Sequence, residues 1–200
     1  STSVRALPHT QRLTNSQRGP GAERADRIEL GRTVSMNAHR ALRLTAIVFA
    51  AAVLVHNGDH LRRGGHSVTT DVMVIGSLGM LVEIGVVWAV LARKAFAPLV
   101  AVLAGAALSA GYVFVHLLPQ RSWLSDSLLA SHGHGVTWFT WVAVFGLLAA
   151  SVLLALAGRR AMRADPGSPH RPTGSGGLHP VVIAMIVGNA IIFVGSVATR

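Results

Sequence analysis

Residues Val72–Leu91 read VMVIGSLGMLVEIGVVWAVL, twenty positions with a single charged side chain. The apolar residues follow neither a period of two nor one of 3.6, so no face is reserved for water. About 20 such residues are what an α-helix needs to cross the hydrocarbon core of a bilayer. Ala95–Leu118, Val136–Ala157 and Val181–Ala198 meet the same standard. Leu44–Val55 is uncharged but short, and it spans only if Arg43 snorkels at one end and His56 sits near the other. The expected fold is an all-α integral membrane protein with five transmembrane helices. Four of them form a core of two hairpins, and the fifth is a peripheral span.

Composition agrees with this reading. Of 200 residues, 51% are hydrophobic and 13% charged, which excludes an ordinary soluble domain, a disordered chain and a collagen-like repeat. The absence of cysteine removes disulfides, thiolate metal sites, iron–sulfur clusters and thiol nucleophiles. Lys94 is the only lysine among 18 basic residues. Together with the dominance of Ala, Gly and Val, that reads as a high-GC bacterial coding bias, so the preference for Arg over Lys points to no function.

Four segments follow: a polar, Arg-rich tail at 1–39, a four-helix bundle with His-bearing outer loops at 40–157, a Gly/Pro/Ser-rich linker at 158–179 and a fifth helix at 180–200. With five spans the non-membrane segments alternate sides. The N-terminal side carries 14 basic residues, and the opposite side carries four, Arg62, Arg63, Arg121 and Arg200. Lys and Arg accumulate on the cytoplasmic side of span ends, so the N-terminus is expected in the cytoplasm and the C-terminus outside. Trp123 and Trp138 then fall near the outer interface and Trp88 near the inner one. The implied location is multi-pass in a bacterial inner membrane. The tail has no apolar core and is not a cleavable signal peptide. Broken by Pro8, Gly19, Pro20 and Gly21, it is expected to be disordered. Its charge suits anionic lipid headgroups. It lacks the interleaved aromatics of a nucleic-acid binder.

Histidine placement is the most informative chemical feature. Of ten histidines, His56, His60, His66, His116, His132 and His134 all map to the outer side, while His9, His39, His170 and His179 are scattered on the inner side. There is an internal echo: span one ends Val-Leu-Val-His56 and span three Val-Phe-Val-His116, while His66-Ser-Val-Thr and His134-Gly-Val-Thr precede spans two and four. A true repeat of two hairpins would bring His56, His66, His116 and His134 around one point. Neutral imidazole suits copper, zinc and iron, and without cysteine the donor set is nitrogen, or nitrogen plus carboxylate. Asp59, beside His60, is a candidate ligand or a group that orients an imidazole. His56 and His60 share a helical face only if the helix continues through Asn57 and Gly58.

Three functions follow from this pattern. The first is a copper-, zinc- or iron-binding subunit of a larger membrane complex, such as an oxidoreductase, using His56, Asp59, His60, His66, His116, His132 and His134. The second is a non-catalytic accessory or assembly subunit, bound to other membrane subunits, in which the histidines are incidental. The third is a small electron carrier with a b-type haem held by His56 and His116. Glu83 is the one carboxylate deep within a span. It is expected to lie too far below the outer histidines to join them, and to act as a proton relay or to bond Ser77, Ser109 or Asn189. Gly76, Gly79, Gly105 and Gly111 are expected to permit close helix packing. No nucleophile–base pair, phosphate loop or paired catalytic carboxylate is present, and no catalytic residue is assigned.

Overall fold

A computed structural model describes residues 20–64, 70–119, 126–129, 135–164 and 178–198, and all its regular elements are helical. They are α1 (Pro20–Arg63), α2 (Thr70–Leu91), α3 (Ala97–Tyr112, continued by a π-helical turn at Val113–Leu117), α4 (Trp138–Ala164) and α5 (Pro180–Ala198). Glu23–Arg63, Asp71–Leu91, Ala97–Leu117 and Trp138–Ala164 are long and apolar enough to cross a membrane, consistent with a multi-pass membrane protein. In α5 the described apolar stretch, Pro180–Ile191, is shorter.

The first helix departs most from expectation. It is 44 residues long, about 65 Å at 1.5 Å per residue, and not a marginal 12-residue span. The part of the tail from Pro20 onward is therefore helical and not disordered. Proline is tolerated as the first helical residue because its missing N–H has no intrahelical partner there. The Ala-Glu-Arg-Ala-Asp-Arg run that follows is made largely of good helix formers. At the other end the helix continues through Asn57 and Gly58 and stops at Gly64. There a φ of 85° lets the Gly64 N–H reach the carbonyls of His60 and Leu61, both at 3.1 Å. This is the left-handed cap that glycine adopts without a Cβ penalty. α4 likewise outruns its expected end at Ala157 by two turns, reaching Ala164.

The helices pack around α4, which runs antiparallel between α1 and α3, while α2 lies along α1 and α3 and α5 along α1 and α2. The core is built from small residues and a few large ones: Leu42, Ala46, Phe49 and Val53 of α1 meet Leu147, Ala150, Leu154 and Ala157 of α4. α5 is docked by a buried face of Val182, Met185 and Asn189, and Asn57 Nδ2 donates to Asn189 Oδ1 at 2.6 Å. The outward faces of the helices remain apolar and exposed, as at Leu78, Leu81, Leu103 and Val142, which is what a lipid-facing surface requires.

Glycine governs the closest approaches, but not at all the expected positions. A Cβ on Gly105 would lie 2.6 Å from the Ser151 carbonyl oxygen, and one on Gly158 would lie 2.7 Å from the Pro98 carbonyl oxygen. Gly76, Gly79 and Gly111 have nothing within 4 Å of such an atom. They open space next to the site instead of closing a helix contact. Gly158→Ala is expected to cost about 1–3 kcal/mol through overpacking against fixed backbone. Thermal unfolding in detergent should show that loss for Gly158→Ala and none for Gly146→Ala, where the added methyl meets nothing within 4 Å.

Candidate metal centre

Because α1 runs on to Arg63, His56 lies two turns below the helix end instead of at it. Four residues later His60 occupies the same face. α3 supplies the third imidazole from its π-helical turn, where the Leu118 N–H reaches back to the Val113 carbonyl at 3.1 Å. Single π-turns inside α-helices frequently accompany functional sites. Ring centroids are 4.7 Å apart for His56–His60, 5.0 Å for His56–His116 and 5.8 Å for His60–His116. Each residue offers one ligand nitrogen, and these atoms lie within 4.8 Å of one another. His56 and His116 are buried and His60 is half-buried.

The hydrogen-bonding pattern fixes which nitrogen carries the proton. A guanidinium only donates, so Arg63 Nη2, 2.9 Å from His60 Nδ1, makes that nitrogen the acceptor. The neutral ring then holds its proton on Nε2, which faces His56 Nε2 at 3.2 Å. His56 Nδ1 is buried with no partner among the described residues. A buried polar atom in that condition costs about 1–3 kcal/mol.

Asp59 is not among the three residues whose ligand atoms converge. It is 2% exposed, accepts from Arg62 Nε at 2.9 Å and from Thr140 Oγ1 at 3.2 Å, and stands 3.3 Å from Arg63 Nε. Its route to the imidazoles is through Arg63. Sequence reading did not single out Asp126, although it is the second anchor of that arginine. Asp126 Oδ2 accepts from Arg63 Nη2 at 2.8 Å, its carbonyl oxygen lies 3.3 Å from His116 Nδ1, and Leu128 N–H donates to the His116 carbonyl at 3.0 Å. Residues 126–129 therefore fold back over the end of α3. The only sequence signal was an aspartate in a short outer loop.

Glu83 also differs from expectation. Its carboxylate accepts a hydrogen bond from the Tyr112 hydroxyl, while Ser77 and Ser109 bond their own helices and Asn189 bonds Asn57. The Tyr112 ring lies 5.8 Å from that of His56. A cavity of about 380 Å³ is lined by Glu83, Tyr112 and all three histidines, with Gly76, Gly79 and Gly111 widening its wall. Glu83 was expected to be remote from the histidines, but His56 itself sits two turns below its helix end and so approaches the acid's level. His66, His132 and His134 lie outside the described residues, as does Trp123. Of the four histidines in the internal echo, His56 and His116 meet.

Comparison with protein-family models, curated proteins and solved structures gives no match. The residues themselves must therefore carry the functional reading.

Removing Arg63 strands Asp126 in a buried position. Arg63→Met should cost about 3–5 kcal/mol, the usual penalty for breaking a buried ion pair from one side. Adding Asp126→Leu should recover most of it, because no uncompensated charge then remains. Chemical denaturation of the single and double variants measures both values.

Proposed function

We propose that this protein binds one transition-metal ion, copper, zinc or iron, through His56, His60 and His116. The observation that carries the proposal is the convergence of three ring nitrogens, from two helices far apart in sequence, at one end of a cavity. Three imidazoles leave a coordination position open, as in metal sites that bind a further molecule, whereas closed structural zinc sites use four protein ligands. The π-turn that carries His116 favours a built ligand site over three incidental histidines.

The surrounding residues set the terms of binding. Arg63 donates to His60 Nδ1, so metal binding at Nε2 requires that ring to move its proton and Arg63 to withdraw onto Asp59 and Asp126. Those two carboxylates balance the arginine and limit its repulsion of a cation. A bound metal would supply Lewis acidity or redox chemistry according to its identity, and Tyr112 and Glu83 would border the molecule in the open position. The haem reading is not favoured, because the His56 and His116 rings meet edge-on at 5.0 Å and leave no slot between them for a macrocycle. The excess of basic residues around 20–43, 93–94 and 159–163 supports a cytoplasmic N-terminus in a bacterial inner membrane. The metal site then faces the extracytoplasmic side, where a larger membrane complex would use it.

Elemental analysis of protein purified in mild detergent without chelator should find about one equivalent of metal. His56→Ala and His116→Ala should each lose most of it, whereas His39→Ala at the opposite end should retain it. Full retention by the His56→Ala/His116→Ala double variant would remove the proposal. A metal-free protein that still co-purifies with defined subunits would favour the accessory reading.

A further inference from the structure

The opposite end of the bundle holds a larger cleft, about 600 Å³, between α1, the α2–α3 turn and the end of α4. Its wall includes Arg40, Arg43, Arg93 and Lys94, and no carboxylate lines it among the described residues. No ion pair joins Arg40, Arg43 or Arg93 to an acid among those residues. Among the described residues, four cations thus share one concave surface that no carboxylate lines, at the depth where the apolar helices emerge.

The turn that supplies two of these cations is unusual. Arg93 N–H donates to the Val90 carbonyl at 3.2 Å and Lys94 N–H to the Ala89 carbonyl at 3.0 Å. This is the paired pattern that ends a helix on a left-handed residue, normally glycine. Here that residue is Arg93, with φ 53°. Non-glycine residues held in this region cluster at ligand clamps and functional sites. Lys94 is held at the rim by its Nζ, 4.9 Å from the centre of the Trp88 ring.

Beyond the cleft, the same helices expose apolar surface. One and two turns beyond Arg40 on the same face of α1 come Leu44 and Val48, and Ile47 follows Arg43. Leu103 lies one turn beyond Leu99 on α3. All of these side chains are exposed. A phosphate at the top and hydrocarbon directly below is the chemistry of a phospholipid, and basic pockets between helix ends on the cytoplasmic side suit anionic headgroups. We infer that this cleft is a specific site for an anionic phospholipid, with the phosphate bound by Arg40, Arg43, Arg93 and Lys94 and the acyl chains lying against α1 and α3. A soluble phosphate ester would use the same cations but would leave the apolar part of the surface unused. The inference is independent of the metal site.

The test is native mass spectrometry of the full chain in mild detergent, titrated with dioleoylphosphatidylglycerol, dioleoylphosphatidylcholine or inorganic phosphate. The anionic lipid should form a one-to-one adduct at concentrations where phosphatidylcholine does not. Arg43→Gln and Arg93→Gly should each weaken it about fivefold, which corresponds to roughly 1 kcal/mol per basic residue. Arg93→Gly suits the left-handed backbone better, so lost lipid with unchanged thermal stability in phosphatidylcholine excludes misfolding as the cause. Arg24→Gln removes the same charge from an exposed position outside the cleft and should leave the adduct intact. Equal adducts with both lipids, or equal weakening by Arg24→Gln and Arg43→Gln, would overturn the site in favour of diffuse attraction. Displacement of the lipid by millimolar inorganic phosphate would overturn its assignment to a lipid.

Discussion

The Arg63 side chain is only 1% exposed, and the end of the bundle where α1 stops is organised around it. A buried guanidinium is tolerable only when its charge is paired. Here Asp59 on the same helix and Asp126 from the segment after α3 share that task, and the arginine's remaining contact is His60. One cation thereby ties α1 to residues 126–129, covers the end of α3 and sets the tautomer of an imidazole. Arg62 extends the network to α4 through Thr140 and the Gly135 carbonyl, at 3.1 and 2.8 Å. Buried in this way, such a network stabilises less through net energy than through the penalty for any arrangement that leaves one of its charges alone.

The length of α1 is the second constraint. A helix ending at Val55 would leave His56 and His60 in a loop with no fixed relation to α3. Continuing to Gly64 places both on one face beside the π-turn of α3, with Glu83 and Tyr112 along the same cavity. Close packing and open space are divided between different glycines. Gly105 and Gly158 bring α3 and α4 into backbone contact, whereas Gly76, Gly79 and Gly111 keep α2 and α3 from filling the cavity. The two ends of the bundle also differ in chemistry. Among the described residues, one pairs Arg62 and Arg63 with Asp59 and Asp126 and gathers three imidazoles, while the other gathers Arg40, Arg43 and Arg93 without an acidic partner beside apolar surface.

Much of this was legible without coordinates, for identifiable reasons. Long apolar runs such as Val72–Leu91 allow few structures except membrane-crossing helices, because backbone polar groups in lipid must be satisfied within the segment. Proximity of His56 and His116 was suggested by their matching positions at span ends, and His60 by its four-residue spacing. The helical extension from Pro20 was missed because proline and glycine were read as breakers, although proline is favoured in a first turn. Depth counted from the ends of apolar blocks separates Glu83 from the histidines, but α1 ends about two turns beyond its block, and Glu83 lines the same cavity as the histidines.

What the sequence determined by itself is therefore the material of each segment: helices long and apolar enough for a membrane, histidines at the ends of apolar blocks, and basic residues clustered between them. These follow from local composition and from the energetics of transfer into lipid, which depend on neighbouring residues alone. Only the tertiary structure decided that Asp59 turns to arginine instead of the histidines, that Asp126 completes the pairing, that Glu83 bonds Tyr112, and that Arg40 and Arg43 share a cleft with Arg93 and Lys94. Each is a contact between residues distant in the chain, and its partner is set by which helix faces meet.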